Sequence, residues 1–217
     1  MADKPTNHPA AASPVRPAKT PTAQRALANT NRWSTRVLVT IALMCAISIL
    51  LTFVEFPLLP GVTWLKYDAS AVPALISGFA FGPGGGIAVG IVGAAIHGIL
   101  FADFSGAVMN MLVVSAFVGP SAWLWRRFGS APGRVASLAA GCACMVAFAV
   151  LGNLVITPAW LGVPLDAVVA MIVPVLVPFN ALKAVLNAVL GAAVYRAVRP
   201  LLDREGIGAG QEGRSHG

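Results

Sequence analysis

Charged residues are scarce in this chain: only 11% of its 217 residues are Asp, Glu, Lys or Arg, while 57% are hydrophobic. A soluble globule of that length needs more polar surface than this to face water, so a bilayer is the expected solvent. Cysteine is scarce as well. Cys45, Cys142 and Cys144 all fall inside apolar runs, where a thiol behaves as a small hydrophobe. Cys142 and Cys144, two apart, point to different faces of a helix, which argues against both a disulfide framework and a cysteine metal site. No Gly-x-x-x-x-Gly-Lys-[Ser/Thr] loop and no His-Glu-x-x-His helix occurs, so any ATP-driven step must be made by another chain. No plausible pairing of base and nucleophile falls in one predicted leaflet, and the chain is not read as an enzyme.

What the chain does have is apolar length. Runs at 37–54, 71–100, 106–125, 135–156 and 167–198 each compete for a span of about 20 residues. The expected fold class is therefore all-α: a polytopic membrane protein, a bundle of about six transmembrane helices. The net charge of +7 does not imply nucleic acid. Its basic residues sit in short clusters between apolar runs, not on a polar face with aromatics interleaved.

Residues 1–32, rich in Pro, Ala, Thr and Asn, are expected to form a disordered tail, residues 33–200 the membrane domain, and 201–217 a second tail. The first helix is expected over about 36–56, where Pro57 and then Pro60-Gly61 break it, leaving residues 58–68 as a loop. Gly82-Pro83-Gly84-Gly85-Gly86 cuts the second run into two halves, either two short helices or a re-entrant hairpin. Helices follow over 106–125 and 135–156. The last run is too long for one span, and Pro174 and Pro178 are expected to break it, with the spanning part beginning near Pro178.

Charge asymmetry orients the bundle. Arg32, Arg36, Arg126, Arg127, Arg134, Arg196, Arg199 and Arg204 fall on one side of an even number of crossings, and Glu55, Lys66, Asp68, Asp103 and Asp166 on the other. The excess of arginine places both termini in the cytoplasm of a cell-membrane protein. Trp33, Trp123 and Trp125 would then mark the inner boundary with lipid, and Trp64 and Trp160 the outer one.

Lys183 is the most informative residue. A lysine within a spanning helix costs roughly 2.5–3.5 kcal/mol on insertion scales and so faces a cavity, a partner or a ligand. Asn180, Lys183 and Asn187 share one helix face, and Asn153 falls at about the same depth on the preceding helix. Asn187 alone reads as a buried amide joining helices. Asn153, Asn180 and Lys183 together read as a pocket open to the exterior. The segment 58–73, with Lys66, Asp68 and Ser70, is a candidate lid, in which Asp68 or Ser70 also suits a helix cap ahead of Pro73. Ala42 and Ala46 form a small-xxx-small pattern that admits a close helix neighbour. His97, with no second ligand at metal spacing, reads as a packed or interfacial histidine.

These residues carry a resemblance. Glu55-Phe56-Pro57, the stretch from Leu65-Lys66-Tyr67-Asp68 through Pro73-Ala74-Leu75-Ile76, and Gly78-Phe79-Ala80-Phe81-Gly82-Pro83 resemble the riboflavin-binding S components of energy-coupling factor transporters. Asn110, Ser115-Ala116-Phe117-Val118, Pro120, Asn153, Pro158 and Pro178-Phe179-Asn180 with Lys183 extend the likeness over about residues 36–200. The resemblance implies a six-helix subunit that binds riboflavin as transported ligand, with no cofactor of its own, and docks on a membrane coupling subunit driven by two ATPase subunits. It further implies that Asn153, Asn180 and Lys183 contact the flavin ring, that the loop carrying Leu65, Lys66 and Asp68 closes over it, and that Ala42 and Ala46 match the Ala-x-x-x-Ala docking motif. Gly93-Ala94 stand where a Lys-Asn pair is expected ahead of the helix-3 histidine. An S component for another vitamin or precursor, and a membrane scaffold without a transport role, are the alternatives.

Overall fold

Helix α1, Thr35–Thr52, begins where the Ser34 hydroxyl accepts a hydrogen bond from the Val37 amide at 3.4 Å. The computed structural model containing it describes residues 34–204, so Trp33, the expected tail at 1–32 and residues 205–217 of the tail expected over 201–217 lie outside the described residues. The helix ends four residues before the expected limit at Phe56. Pro57 holds Phe56 in extended conformations. Phe56–Pro57 is strand β1, and it pairs antiparallel with β2, Lys66–Tyr67, so that Phe56 faces Tyr67 and Pro57 faces Lys66. The expected loop is thus a small hairpin.

Of the two options for the second run, the chain takes two helices: α2, Ala71–Phe81, and α3, Pro83–Phe101. Gly82, at φ 96°, supplies a left-handed turn that other residues resist, and Pro83 opens α3 where its missing N–H costs nothing. At 1.5 Å per residue α2 is only about 16 Å long, too short to cross a hydrocarbon core of about 30 Å. Its residues 71–80 are all buried, enclosed by α1, α3, α4 and α7. The α2–α3 hairpin closes tightly because a Cβ on Gly86 would lie 2.6 Å from the Ala74 carbonyl oxygen and 2.7 Å from the Gly78 Cα.

Helix α4, Phe104–Arg127, starts at the carboxylate of Asp103, and α5, Ala131–Leu161, at the hydroxyl of Ser130. Both caps lie ahead of the apolar runs and lengthen the helices beyond 106–125 and 135–156. Pro158 sits inside α5, which ends only at Gly162, φ 66°.

The last run departs most from expectation. Helix α6, Leu165–Met171, passes through a π segment, Ile172–Leu176, into α7, Val177–Arg204, without leaving helical conformation. Pro174 and Pro178 each lack the amide needed for an i to i−4 bond. Widening one turn accommodates them: the Val177 amide bonds the Ile172 carbonyl, five residues back. At its other end α7 continues through Pro200, past the expected boundary at 200.

Among the described residues, five helical segments are long and apolar enough to cross a membrane, the last running from Leu165 to Leu202, and α2 is the short additional helix. Phe79, Leu75, Phe117, Val114, Val118 and Met145 fill the core between α2, α4 and α5. Trp125 departs from the expected boundary belt. It packs inward, stacked on Phe79 at 4.1 Å and 17°, with the Tyr195 ring edge-on to both and the Arg134 guanidinium 5.3 Å from its centroid. Trp123 and Trp160 stay exposed. The helix ends carrying Arg36, Arg126, Arg127, Arg134, Arg196, Arg199 and Arg204 gather at one end of the bundle.

Candidate functional site

At the other end lies a cavity of about 390 Å³, within the range of roughly 300–1,000 Å³ usual for small-molecule pockets. Its walls come from five places: the end of α1, the hairpin, the α3–α4 junction, the later half of α5 and the start of α7. Asn153, Asn180, Lys183, Leu65, Lys66 and Asp68, separated by more than 100 positions in sequence, all line it. Ala42 and Ala46 do not. They are exposed along the middle of α1.

The register of α7 after the π segment brings Phe179, Asn180 and Lys183 to the cavity within its first two turns. Lys183 is 8% exposed, and its ammonium faces Asp68 at 3.3 Å instead of reaching for the arginine end. The Asn180 side-chain amide donates to the Leu176 carbonyl at 2.8 Å, which leaves its Oδ1 and a second N–H available. Asn153 donates likewise to the Ala149 carbonyl at 2.8 Å, and its Oδ1 accepts from the Thr157 hydroxyl at 3.1 Å.

The hairpin is fastened over this site at several points. Lys66 pairs with Glu55. The Tyr67 hydroxyl donates to Asn187 Oδ1 at 3.3 Å, and the Tyr67 ring, 4% exposed, meets Phe56 edge-on at 5.4 Å. Asn187 is fully buried, and its Nδ2 has no partner among the described residues. It joins α7 to the hairpin, where a bond to a neighbouring helix was the simpler expectation. The Ser48 hydroxyl donates to the Ser70 carbonyl at 2.9 Å, and Asp68 Oδ1 accepts from the Ser70 amide at 2.9 Å. Of the two candidate caps ahead of Pro73, Asp68 makes the bond, while the Ser70 side chain makes no capping bond.

Burial pushes the Asp68 carboxyl up, but the Lys183 ammonium and the hydrogen bonds from Ser70 outweigh it and hold the group below the usual carboxylate range. Burial, helped by the Asp68 charge, pushes the Tyr67 phenol up. Asp68 is therefore an anion at neutral pH, and Tyr67 a neutral donor.

The wall includes residues that the sequence reading did not assign to the pocket, among them His97, Asp103 and Trp64. His97 lines the cavity with its ring 4.6 Å from Phe101. The spacing of His97 and Phe101, one turn apart at a helix end, was a usable signal. Asp103 lines the α3–α4 junction, and Trp64 the hairpin. Gly93, where a polar residue was expected, is buried, and a Cβ there would meet the Ser48 hydroxyl at 2.6 Å. This position serves close packing of α1 on α3. Met109, Val113, Ala149 and Phe179 give the cavity an apolar middle between polar walls. Such a site can hold a flat, apolar ring while carboxamides and an ammonium pair with its polar edge.

Comparison with known proteins identifies the family. Residues 36–195 match the model of the family described as ECF transporter, substrate-specific component. The riboflavin transporter FmnP of Bacillus subtilis (strain 168) is 29% identical over 180 residues, covering 77% of this chain and 94% of its own. The riboflavin transporter RibU of Staphylococcus aureus (strain TCH60) is 26% identical over 181 residues, covering 80% and 96%. A solved structure of the S component of a bacterial ECF transporter superposes with a TM-score of 0.68 at 25% identity, covering 77% of this chain and 97% of that one.

Proposed function

The chain belongs to the family of ECF transporter substrate-specific components, and from that premise we propose that it captures riboflavin at the outer face of the cell membrane for uptake driven by partner subunits. It is a transport component and not an enzyme. The observation that carries the ligand assignment is the meeting of Asn153, Asn180 and Lys183 with the hairpin residues Leu65, Lys66 and Asp68 around one cavity.

In this reading the flavin ring lies against the apolar middle of the cavity. Its imide edge presents a donor between two acceptors, which the free Oδ1 and N–H of Asn180 and the remaining N–H of Asn153 can complement. Lys183 donates to a ring carbonyl or nitrogen while Asp68 keeps its ammonium aimed. The hairpin closes over the bound molecule. Ala42 and Ala46 let α1 approach a membrane coupling subunit, which two ATPase subunits drive, and the arginine end of the bundle faces the cytoplasm with both termini.

Titration of the purified protein with riboflavin, followed by quenching of flavin fluorescence, tests the assignment. Saturable binding at or below micromolar concentration supports it, and absence of binding there removes riboflavin. Mass spectrometry of the small molecule carried through purification names the cargo independently. Gly93 in place of a polar residue favours one second reading, another vitamin or precursor of similar size, and competition with a vitamin panel separates the two.

A further inference from the structure

At the end of the bundle away from the cavity, we infer that the protein holds an anionic phospholipid, its phosphate gripped by Arg127 and Arg134 on either side of the α4–α5 turn. Seven arginines stand in the helices at that end against one acid in sequence, Asp203. Glu55, Asp68, Asp103 and Asp166 all fall toward the other end. A surface so unbalanced attracts anions, but net charge alone selects neither a place nor a partner.

Two aromatic contacts supply the place. The Arg127 guanidinium lies 5.6 Å over the ring of Trp123, one turn back along α4, and the Arg134 guanidinium 5.3 Å over that of Trp125. Three residues, 128–130, separate the helices that carry them. A ring face attracts the charge but takes up none of the hydrogen-bonding capacity that a carboxylate would, so the N–H donors remain for an oxyanion. Among the described residues neither guanidinium has an ion pair or a hydrogen bond to a polar acceptor. Each is steadied by its tryptophan and still short of an acceptor, and a guanidinium matches phosphate with two parallel bonds.

Depth decides for a lipid over a soluble partner. Trp123, Phe128 and Val135, all exposed, surround the turn with apolar surface. In a chain with helices that can cross a membrane, such flanks face acyl chains. Arg127, turned back over Trp123, therefore stays at the level where hydrocarbon gives way to headgroups, the usual depth of tryptophan. A phospholipid answers both features at once, with acyl chains for the flank and a phosphate for the arginines. An acidic protein docking on the end of the bundle leaves the flank uncovered. The choline cation of a zwitterionic lipid meets the arginine excess and is disfavoured, whereas a glycerol headgroup keeps its net negative charge.

The test titrates the full chain in nonionic detergent with phosphatidylglycerol and with phosphatidylcholine, and counts bound lipid by native mass spectrometry. The wild type should bind its first phosphatidylglycerol at least ~10-fold more tightly than phosphatidylcholine. Arg127→Gln and Arg134→Gln should each narrow that ratio by roughly 3- to 5-fold, and Arg127→Lys by less, because it keeps the charge and loses the fork. Trp123→Leu changes no charge and should narrow it too, which bulk attraction does not explain. Arg36→Gln removes a charge at the same end but on α1, whose main neighbours are α2 and α3, and should move the ratio by less than about twofold. The ratio is the readout, so a general loss of affinity cancels from it. If Arg134→Gln does not fold, Arg127→Gln and Trp123→Leu, both at exposed positions, carry the same test. Equal narrowing by Arg36→Gln and Arg127→Gln, or a ratio near one in the wild type, overturns the proposal. Displacement of the lipid by excess inorganic phosphate makes this a free-anion site and overturns it as well. A ratio unmoved by the arginine variants, with loss of co-purifying partner subunits, assigns the surface to a protein instead.

Discussion

Lys183 Nζ lies 3.3 Å from Asp68 Oδ2, joining residues 115 positions apart across the mouth of the cavity. Both side chains are largely shielded, at 10% and 15% exposure. A charge pair in that setting is weak evidence for net stability, but removing one partner alone leaves the other buried and uncompensated. Lys183→Met should therefore weaken riboflavin binding by about 2–4 kcal/mol, roughly 30- to 1,000-fold in Kd. Unchanged affinity in a fluorescence titration refutes the assigned site. Asp68→Asn should cost less, because Lys183 can still bond the ligand. The double variant should show non-additivity of about 1 kcal/mol or more, as contacting residues do.

Tyr67 and Asn187 make a second tie between the hairpin and α7. Tyr67→Phe keeps the ring packed on Phe56 and removes only the donor. A buried amide already lacking one partner then loses another, which costs about 1–2 kcal/mol. The hairpin should open more often, seen as faster hydrogen exchange in residues 56–67 and a several-fold higher dissociation rate for riboflavin. Adding Asn187→Leu should recover much of the stability, since removing both polar partners relieves the unmet bond. A double variant no more stable than Tyr67→Phe would falsify the tie.

The depressed pKa of Asp68 sets a pH dependence with a definite sign. A carboxyl whose folded value lies below its unfolded one contributes stability that is present above the unfolded value, about 3.9, and is lost as pH falls through the folded value. Thermal midpoints in detergent should thus change little between pH 7 and about pH 5 from this source and fall below that. Asp68→Asn should have a lower midpoint at pH 7 and a flatter acid limb. Parallel acid limbs for the two proteins would show that the Lys183 pair is not what stabilises Asp68.

Much of this architecture was legible in the residues because the bilayer permits so few solutions. Apolar length gave the helices, and the cost of burying Lys183 gave the end of the bundle that holds the cavity. Illegible features were those decided by packing. That Phe56 leaves α1 follows from Pro57, yet its pairing with Tyr67 depends on the hairpin fold. Trp125 sits at a plausible boundary depth and is drawn inward by the Phe79 and Tyr195 rings, which no local pattern announces. Pro174 and Pro178 signalled a break, and a π turn absorbed it, because in a bundle an apolar helix that stays hydrogen-bonded is favoured over one that exposes its carbonyls. Asp103 gains its place only when α3 turns into α4, and His97, though Phe101 follows it one turn on, joins the cavity wall only through the same turn.

Close backbone approach predicts where small substitutions fail. Gly86→Ala would place a methyl 2.5 Å from Val118 Cγ1 and 2.6 Å from the Ala74 carbonyl oxygen, both in the rigid core. Overpacking of this kind costs about 1–3 kcal/mol or more, and the variant should show a lower thermal midpoint and poor yield. Gly119→Ala, whose methyl would meet only Ile87 Cδ1 at 3.5 Å, should be tolerated. Equal midpoints for the two variants would mean that the α2–α3 crossing is looser than described.

In the proposed reading, the exposed face of α1 serves delivery and not capture. Ala42 and Ala46 lie outside the cavity wall and on the surface, so enlarging them should leave the site untouched while obstructing the partner helix proposed to pack there. Ala46→Leu, and more strongly the pair with Ala42→Leu, should keep riboflavin affinity within about twofold of wild type. Uptake of labelled riboflavin by cells expressing the partner subunits should fall at least ~10-fold, because losing close packing along one helix face removes more than 1.4 kcal/mol of association energy. Loss of binding together with uptake would place these alanines in the fold and not at an interface. Full uptake by the double variant would move the docking surface elsewhere on the bundle.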